Sequence, residues 1–244
     1  MRHPRATLKK LESLLKVRFK NLELLDHALT HSSFKYELLS QAHVSAEIKK
    51  ELRDNERLEF FGDAILSFII CKKLFEDYPD EDEGTLSKFR SIVVSRKLLF
   101  TIAKKLKLHN YLYLGRGEHN IPFLEKAKIM ADAFEAIIAA IYIDRGIEIT
   151  EKFINTHFDP YLALGRLKKL DAMENYKNKL QECCQREFQM LPQYKTAAHN
   201  DEFEATVFIH KKKYGTGLGR SKRNAEKEAA RATLKILRER KKEK

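Results

Sequence analysis

The chain has 244 residues, enough for one large domain or two smaller ones, and its 43% hydrophobic content excludes a disordered polymer. A net charge of +12, from 47 Lys+Arg against 35 Asp+Glu, points to an anionic partner, nucleic acid or an anionic membrane, with a merely soluble basic surface as the alternative. The longest apolar runs, residues 65–71 and 136–143, fall well short of the roughly 20 residues of a spanning helix, and the N-terminus lacks the apolar core of a secretory signal. A soluble protein with no membrane partner is expected.

In chain order, residues 8–158 read as successive helices, with apolar residues recurring every three or four positions. Leu8, Leu11, Leu14 and Leu15 mark the first. Asp54 is the expected N-cap of a long helix running toward Phe75, where Pro79 and Gly84 break the pattern. Thr85 is the expected cap of another, carrying Leu86, Phe89, Ile92 and Val93, and a strong helix covers 131–144 and stops at Gly146. A polar and basic stretch around 165–175 reads as an interdomain linker. Beyond it come a helix (176–188), three short alternating strands and a helix (221–237), the order α-β-β-β-α. Residues 171–244 carry 18 Lys+Arg against 11 Asp+Glu, so the smaller part is the denser in positive charge. The three cysteines, Cys71, Cys183 and Cys184, have no zinc-type spacing and read as reduced thiols, which suits a cytoplasmic location.

Carboxylates supply the chemistry. Glu56, Glu59 and Asp63 are three and four residues apart, hence on one helical face, yet Leu58, Phe60, Phe61, Ala64, Ile65 and Leu66 surround them. A solvated acidic stripe is the bland alternative. In 129–143 the only charged groups are Asp132 and Glu135, and with no basic residue expected within one turn, intrahelical salt bridges are read as excluded. An unpaired buried carboxylate costs several kcal/mol, so the pair needs a bound cation or an Arg or Lys from another helix. If the two helices pack together, Glu59, Asp63, Asp132 and Glu135 converge as four hard oxygen ligands, the type preferred by Mg²⁺ or Mn²⁺ and unsuited to zinc. Such a site can generate a hydroxide nucleophile for a phosphodiester.

"ALTHSSF" at 28–34, "NERLEFFGDAIL" at 55–66, "DEGTLSKFRSIVVS" at 82–95 and "IMADAFEAIIAAIY" at 129–142 stand in that order. They resemble the blocks of ribonuclease III, the metal-dependent endonuclease family specific for double-stranded RNA. The resemblance spans nearly the whole chain. It implies an α+β multidomain protein: an all-α catalytic domain at 1–165, a linker at 166–173, an α-β-β-β-α double-stranded RNA-binding domain at 174–240 and a basic tail at 241–244. It further implies that Glu59, Asp63, Asp132 and Glu135 are catalytic and bind Mg²⁺, with Mn²⁺ as a substitute, while Glu56 and Glu83 lie near the cleft. Phe60 becomes the candidate contact of a homodimer, whose two clefts cut opposite strands to leave 5′-phosphates and short 3′ overhangs, in processing of ribosomal and other structured precursor RNAs.

In the second domain the resemblance assigns RNA contacts to Asn178, Gln181 and Glu182 on the first helix, to a turn holding His199 and Asn200, and to Ser221, Lys222 and Arg223, which open the last helix. Two departures stand out. Residues 117–130 lack the Gly-rich turn often seen in the family, so no RNA contact is assigned to His119 or Asn120; and Glu226 stands where a basic residue is common, with Lys227 the candidate substitute. The partner expected is double-stranded RNA, with no small-molecule substrate. A non-cleaving RNA-binding protein on the same scaffold is the alternative, and a basic DNA-binding protein a third reading.

Overall fold

The computed structural model describes residues 4–41, 45, 52–174 and 176–242. The chain forms two compact units, Met1–Ala163 and Leu164–Lys244.

The described part of the first unit is helical: α1 (Arg5–Leu15), α2 (Leu22–Ala28), α3 (Ser32–Ser40), α4 (Glu56–Asp77), α5 (Glu83–Val93), α6 (Arg96–Lys105), a 3₁₀ turn (Leu108–Asn110), α7 (Arg116–Asn120) and α8 (Ala127–Leu162). Its core forms where α4 lies along α8. Leu66, Ile69, Ile70 and Leu74 on one helix and Met130, Phe134, Ile137, Ile138 and Ile141 on the other are buried, each such side chain contributing about 1.5–3 kcal/mol. Phe134 also packs on Phe153 and Phe158 from the distal half of α8.

Three expected boundaries differ in detail. The N-cap residue of α4 is Asn55, not Asp54. Asn55 is buried, its backbone N–H donates to the Thr30 carbonyl at 2.8 Å and its Nδ2 to the Ala28 carbonyl at 3.2 Å. Its side chain thus straps α4 to the end of α2 instead of capping, and Asp54 pairs with Lys35 at 2.7 Å. The cap of α5 is Asp82, which accepts from the Thr85 N–H at 2.6 Å, so the expected cap Thr85 lies inside the first turn. At Gly146 the helix does break, with φ 77° and ψ −179°, a conformation glycine adopts without side-chain strain. The chain then re-enters helix through 147–162, because Phe153, Ile154 and Phe158 have a core to fill.

The second unit holds α9 (Leu164–Glu174), α10 (Tyr176–Phe188), β1 (Gln193–His199), β2 (Glu202–Ile209), β3 (Lys212–Gly219) and α11 (Lys222–Lys242). The strands form one antiparallel sheet in the order β1-β2-β3. Period-two alternation buries Ala205, Val207 and Ile209 of β2 against Leu180, Cys184, Ala225, Ala229, Ala230, Leu234 and Leu237 of the flanking helices. On β3 the alternating Gly215, Gly217 and Gly219 let α11 lie directly on the sheet: a β-carbon at any of the three would overlap the α11 backbone. The stretch expected as a linker is helical through 174, since Leu164, Leu167 and Leu170 recur every three residues and Leu167 is buried. Asn175 of that stretch, and residues 243–244 of the basic tail, lie outside the described residues.

Candidate active site

The acidic cluster exists because α4 and α8 touch at a glycine. Gly62 faces the backbone of Glu135, and a β-carbon there would lie inside the contact distance of the Glu135 carbonyl. On either side of Gly62 on α4 sit Glu59 and Asp63. Glu59, Asp132 and Glu135, all half-buried, offer one carboxylate oxygen each within 4.8 Å of one another. Oxygens bound trans to one ion of Mg²⁺ size lie about 4.2 Å apart, so small side-chain rotations would let the three share a cation. The donor set is all hard oxygen, which fits Mg²⁺ or Mn²⁺.

Asp63 is exposed and outside the three-oxygen group, but its charge is the strongest of those that raise the Glu135 pKa. Burial first, then the fields of Asp63, Asp132 and Glu59, push Glu135 up to about 8. Burial likewise raises Glu59 and Asp132, with Asp132 adding its repulsion at Glu59. At Glu59 and Glu135 the raising effects of burial and neighbouring carboxylates outweigh the lowering fields of nearby basic groups.

The expectation that Asp132 has no intrahelical basic neighbour is wrong. Lys128, one residue before the stretch considered and four before Asp132, places Nζ 3.9 Å from its Oδ2. The lysine side chain is largely exposed, so the pair offsets little of the burial. Glu56 is exposed one turn before Glu59, and its charge adds to burial and Asp132 in raising the Glu59 pKa. Glu83 is exposed at the first residue of α5, and among the described residues no hydrogen bond or ion pair joins it to the cluster.

Two neighbours had no role in the sequence reading. Arg96, which opens α6, exerts a lowering field on Glu59, Asp132 and Glu135 together. His31 caps α3, with Nδ1 2.8 Å from Ser33 Oγ, and lies in the field of Asp132 and Glu56, while burial lowers its pKa. Both stood in plain view, His31 within "ALTHSSF" and Arg96 next to "DEGTLSKFRSIVVS". The 950 Å³ cavity of this unit is elsewhere, lined by α1 and the 16–26 segment and by none of these carboxylates.

In the second unit Asn178, Gln181 and Glu182 line one surface cavity of 690 Å³ together with Gln185, Arg186 and Leu191. Gln185 and Arg186 continue the same face by one turn, at i+3 and i+4 spacing from Gln181 and Glu182, and Leu191 comes from beyond the end of the helix. His199 ends β1, paired with Glu202, rather than lying in the turn; its side chain is outside the described part. Asn200 occupies the turn with φ 53°. Ser221 Oγ accepts from the Asn224 N–H at 3.2 Å, and Lys222 and Arg223 are exposed in the first turn of α11, where backbone N–H groups and positive charge favour an anion.

Residues 21–162 match the Ribonuclease-III-like family and residues 176–237 the double-stranded RNA binding motif. The chain belongs to the ribonuclease III family. It is 40% identical to Ribonuclease 3 of Dehalococcoides mccartyi over 93% of both chains, and 39% identical to Ribonuclease 3 of Clostridium beijerinckii over 96% of this chain and 97% of the other. A solved structure of the nuclease domain of the Campylobacter jejuni enzyme, described for flexibility in a region involved in dimer formation, is 36% identical, covers 62% of this chain and 99% of its own, and superimposes with a TM-score of 0.53.

This ribonuclease III is therefore a double-stranded-RNA-specific endoribonuclease with a helical nuclease unit and an α-β-β-β-α RNA-binding unit. Among the described residues no helix is long and apolar enough to cross a membrane. One feature of α4 went beyond the sequence reading: Phe60, Phe68 and Phe75 are 80%, 60% and 74% exposed. Their spacing of eight and seven residues puts them on one face, a seam of aromatic surface on the helix that also carries Glu59.

Proposed function

We propose that this ribonuclease III cleaves double-stranded RNA with Mg²⁺, or Mn²⁺ as a substitute, held by Glu59, Asp132, Glu135 and Asp63. The observation that carries the proposal is the meeting of three carboxylate oxygens from two helices within 4.8 Å, with Glu135 pushed up to about 8. Glu59, Asp132, Glu135 and Asp63 would hold the divalent ion, which would supply activation of water and charge stabilisation for phosphodiester hydrolysis. Glu59 and Asp63 enter from α4 and Asp132 and Glu135 from α8, so two packed helices set the geometry with no loop involved. Glu56 and Glu83 are assigned to the rim of the cleft.

The reading extends to a homodimer joined through Phe60, supported by the exposed seam of Phe60, Phe68 and Phe75, which is unfavourable in water. Two clefts acting on opposite strands leave 5′-phosphates and short 3′ overhangs, and the substrates are ribosomal and other structured precursor RNAs. The three free cysteines agree with a cytoplasmic enzyme. Duplex engagement is assigned to Asn178, Gln181 and Glu182, to His199 and Asn200, and to Ser221, Lys222 and Arg223, which meet minor-groove hydroxyls and the phosphates between them.

The test is incubation of the purified protein with a long RNA duplex, with and without Mg²⁺, followed by analysis of product ends, beside a DNA duplex of the same sequence. The reading requires cleavage of RNA only with metal, with phosphorylated 5′ ends. Intact but bound RNA in every lane would instead support a non-cleaving binding protein.

A further inference from the structure

Three elements of the second unit meet at a point that none of the RNA contacts above uses. Lys177, the second residue of α10, donates from Nζ to Glu226 Oε2 on α11 at 2.6 Å. The same ammonium lies 4.8 Å from the ring centroid of Tyr194 on β1. The Tyr194 hydroxyl is buried with no hydrogen-bond partner among the described residues, and its ring lies against the Lys177 ammonium. The Lys177 and Glu226 side chains are only 38% and 23% exposed, which sets the pair apart from a solvated surface salt bridge.

Position gives the pair its consequence. Lys177 immediately precedes Asn178, and Glu226 lies one turn beyond Lys222 and Arg223. Farther along, α10 and α11 are joined by apolar packing of Leu180 and Cys184 with Leu234 and Leu237. At the RNA-facing end the buried residue offered by α11 is the small Ala225, and the polar tie is Lys177–Glu226. A unit that meets successive minor grooves and the phosphates between them must hold its contact regions at the spacing of A-form RNA. Without the tie, the start of α10 can shift against the start of α11, moving Asn178, Gln181 and Glu182 relative to Lys222 and Arg223.

We propose that Lys177 and Glu226 are positioning residues for duplex RNA: seated on Tyr194, their ion pair locks the first and third RNA-contact regions at groove spacing. This rests on the assignment of those regions to RNA. It explains an acid in a basic face, where Glu226 would otherwise only repel phosphate, and it keeps the Lys177 ammonium engaged within the protein.

The experiment uses the full chain, a long RNA duplex and metal-free buffer, and compares the unmodified protein with Glu226→Gln, Lys177→Gln and the double variant, each first checked for an intact thermal transition. Positioning predicts that Glu226→Gln weakens binding about 3- to 10-fold although it removes a negative charge, and that its salt dependence is no steeper than before. It predicts that the double variant loses no more than the worse single one, the mark of two residues acting as one unit. In Mg²⁺ the loss falls on KM and leaves kcat at saturating RNA unchanged. Tighter binding by Glu226→Gln with a steeper salt dependence overturns the proposal, since Lys177 would then have been withheld from phosphate rather than placed. Unchanged binding by Glu226→Gln, or additive losses in the double variant, overturns it too. If the unmodified protein itself fails to bind duplex RNA, the assignment of the RNA-contact regions fails first and carries the proposal with it.

Discussion

Gly62 on α4 and Glu135 on α8 meet so closely that the missing β-carbon of the glycine is what lets the two helices bring their carboxylates together. Gly62→Ala forces the helices apart at that point, and overpacking of this kind costs about 1–3 kcal/mol. The account expects a lower melting temperature together with a loss of cleavage of at least about tenfold, because Glu59 no longer reaches Asp132 and Glu135. Duplex binding by the second unit should survive, and a cleavage assay paired with a gel-shift assay separates the two.

Protonation of Glu135 links stability to pH. Its folded-state pKa of about 8 lies above the ordinary 4.5, so the fold favours the protonated form and is destabilised once the group ionises. The metal-free protein should therefore lose stability as pH rises from about 4.5 through about 8. Glu135→Gln should match the unmodified protein near pH 4 and exceed it at pH 9 by on the order of 1–2 kcal/mol, allowing for the partial solvent screening of the site. Thermal melts in the absence of divalent ions check this, and parallel pH profiles for the two proteins would contradict it.

Adding Mg²⁺ to the same melts should reverse the trend. A ligand that binds only the folded, ionised site raises stability as RT ln(1 + [L]/Kd), so the gain should grow with pH in the unmodified protein and nearly vanish in Glu135→Gln. A gain of equal size in both would place the stabilising ion elsewhere.

Phe60 is 80% exposed, so its replacement should barely affect the packing of its own helix. Phe60→Asp is expected to shift sedimentation equilibrium from dimer toward monomer while shifting monomer stability by less than about 0.5 kcal/mol. A protein that sediments as a monomer before the substitution would refute the assignment of this seam.

Lys222 and Arg223 differ from Lys177 in being exposed, at the start of α11. Each replacement by Ala should weaken duplex RNA binding irrespective of sequence and flatten the plot of log affinity against log salt by roughly 0.7–0.9. Salt titrations of binding measure that slope directly.

Local patterns were legible in the sequence and pairings between elements were not. The same-face placement of Glu59 and Asp63, and of Asp132 and Glu135, follows from spacing alone, and the alternation in β2 announces its buried face. The role of Gly62 is not local, because its partner, the Glu135 backbone, lies 73 positions away. Asn55 displaced Asp54 at the start of α4 because the carbonyls of Ala28, the last residue of α2, and of Thr30 just beyond it both accept from Asn55, a tertiary demand that overrides capping preference. Lys128 pairs with Asp132 at i,i+4 spacing, a neighbour that spacing alone makes legible. In 164–174 the charges outweighed a leucine periodicity that the fold uses. Glu226 was visible as an oddity, but its match with Lys177 needed the sheet and both helices in place.

The central claim is that the α4–α8 carboxylates hold the ion that cleaves RNA, and its most direct measurement is the single-turnover rate of duplex cleavage as a function of Mg²⁺ for the unmodified protein and Glu135→Gln. The account predicts no cleavage without metal, saturable activation of the unmodified protein, and a variant that binds the duplex normally yet is inactive at the Mg²⁺ concentrations that saturate its parent. Full-rate cleavage by Glu135→Gln at the same concentrations would contradict it.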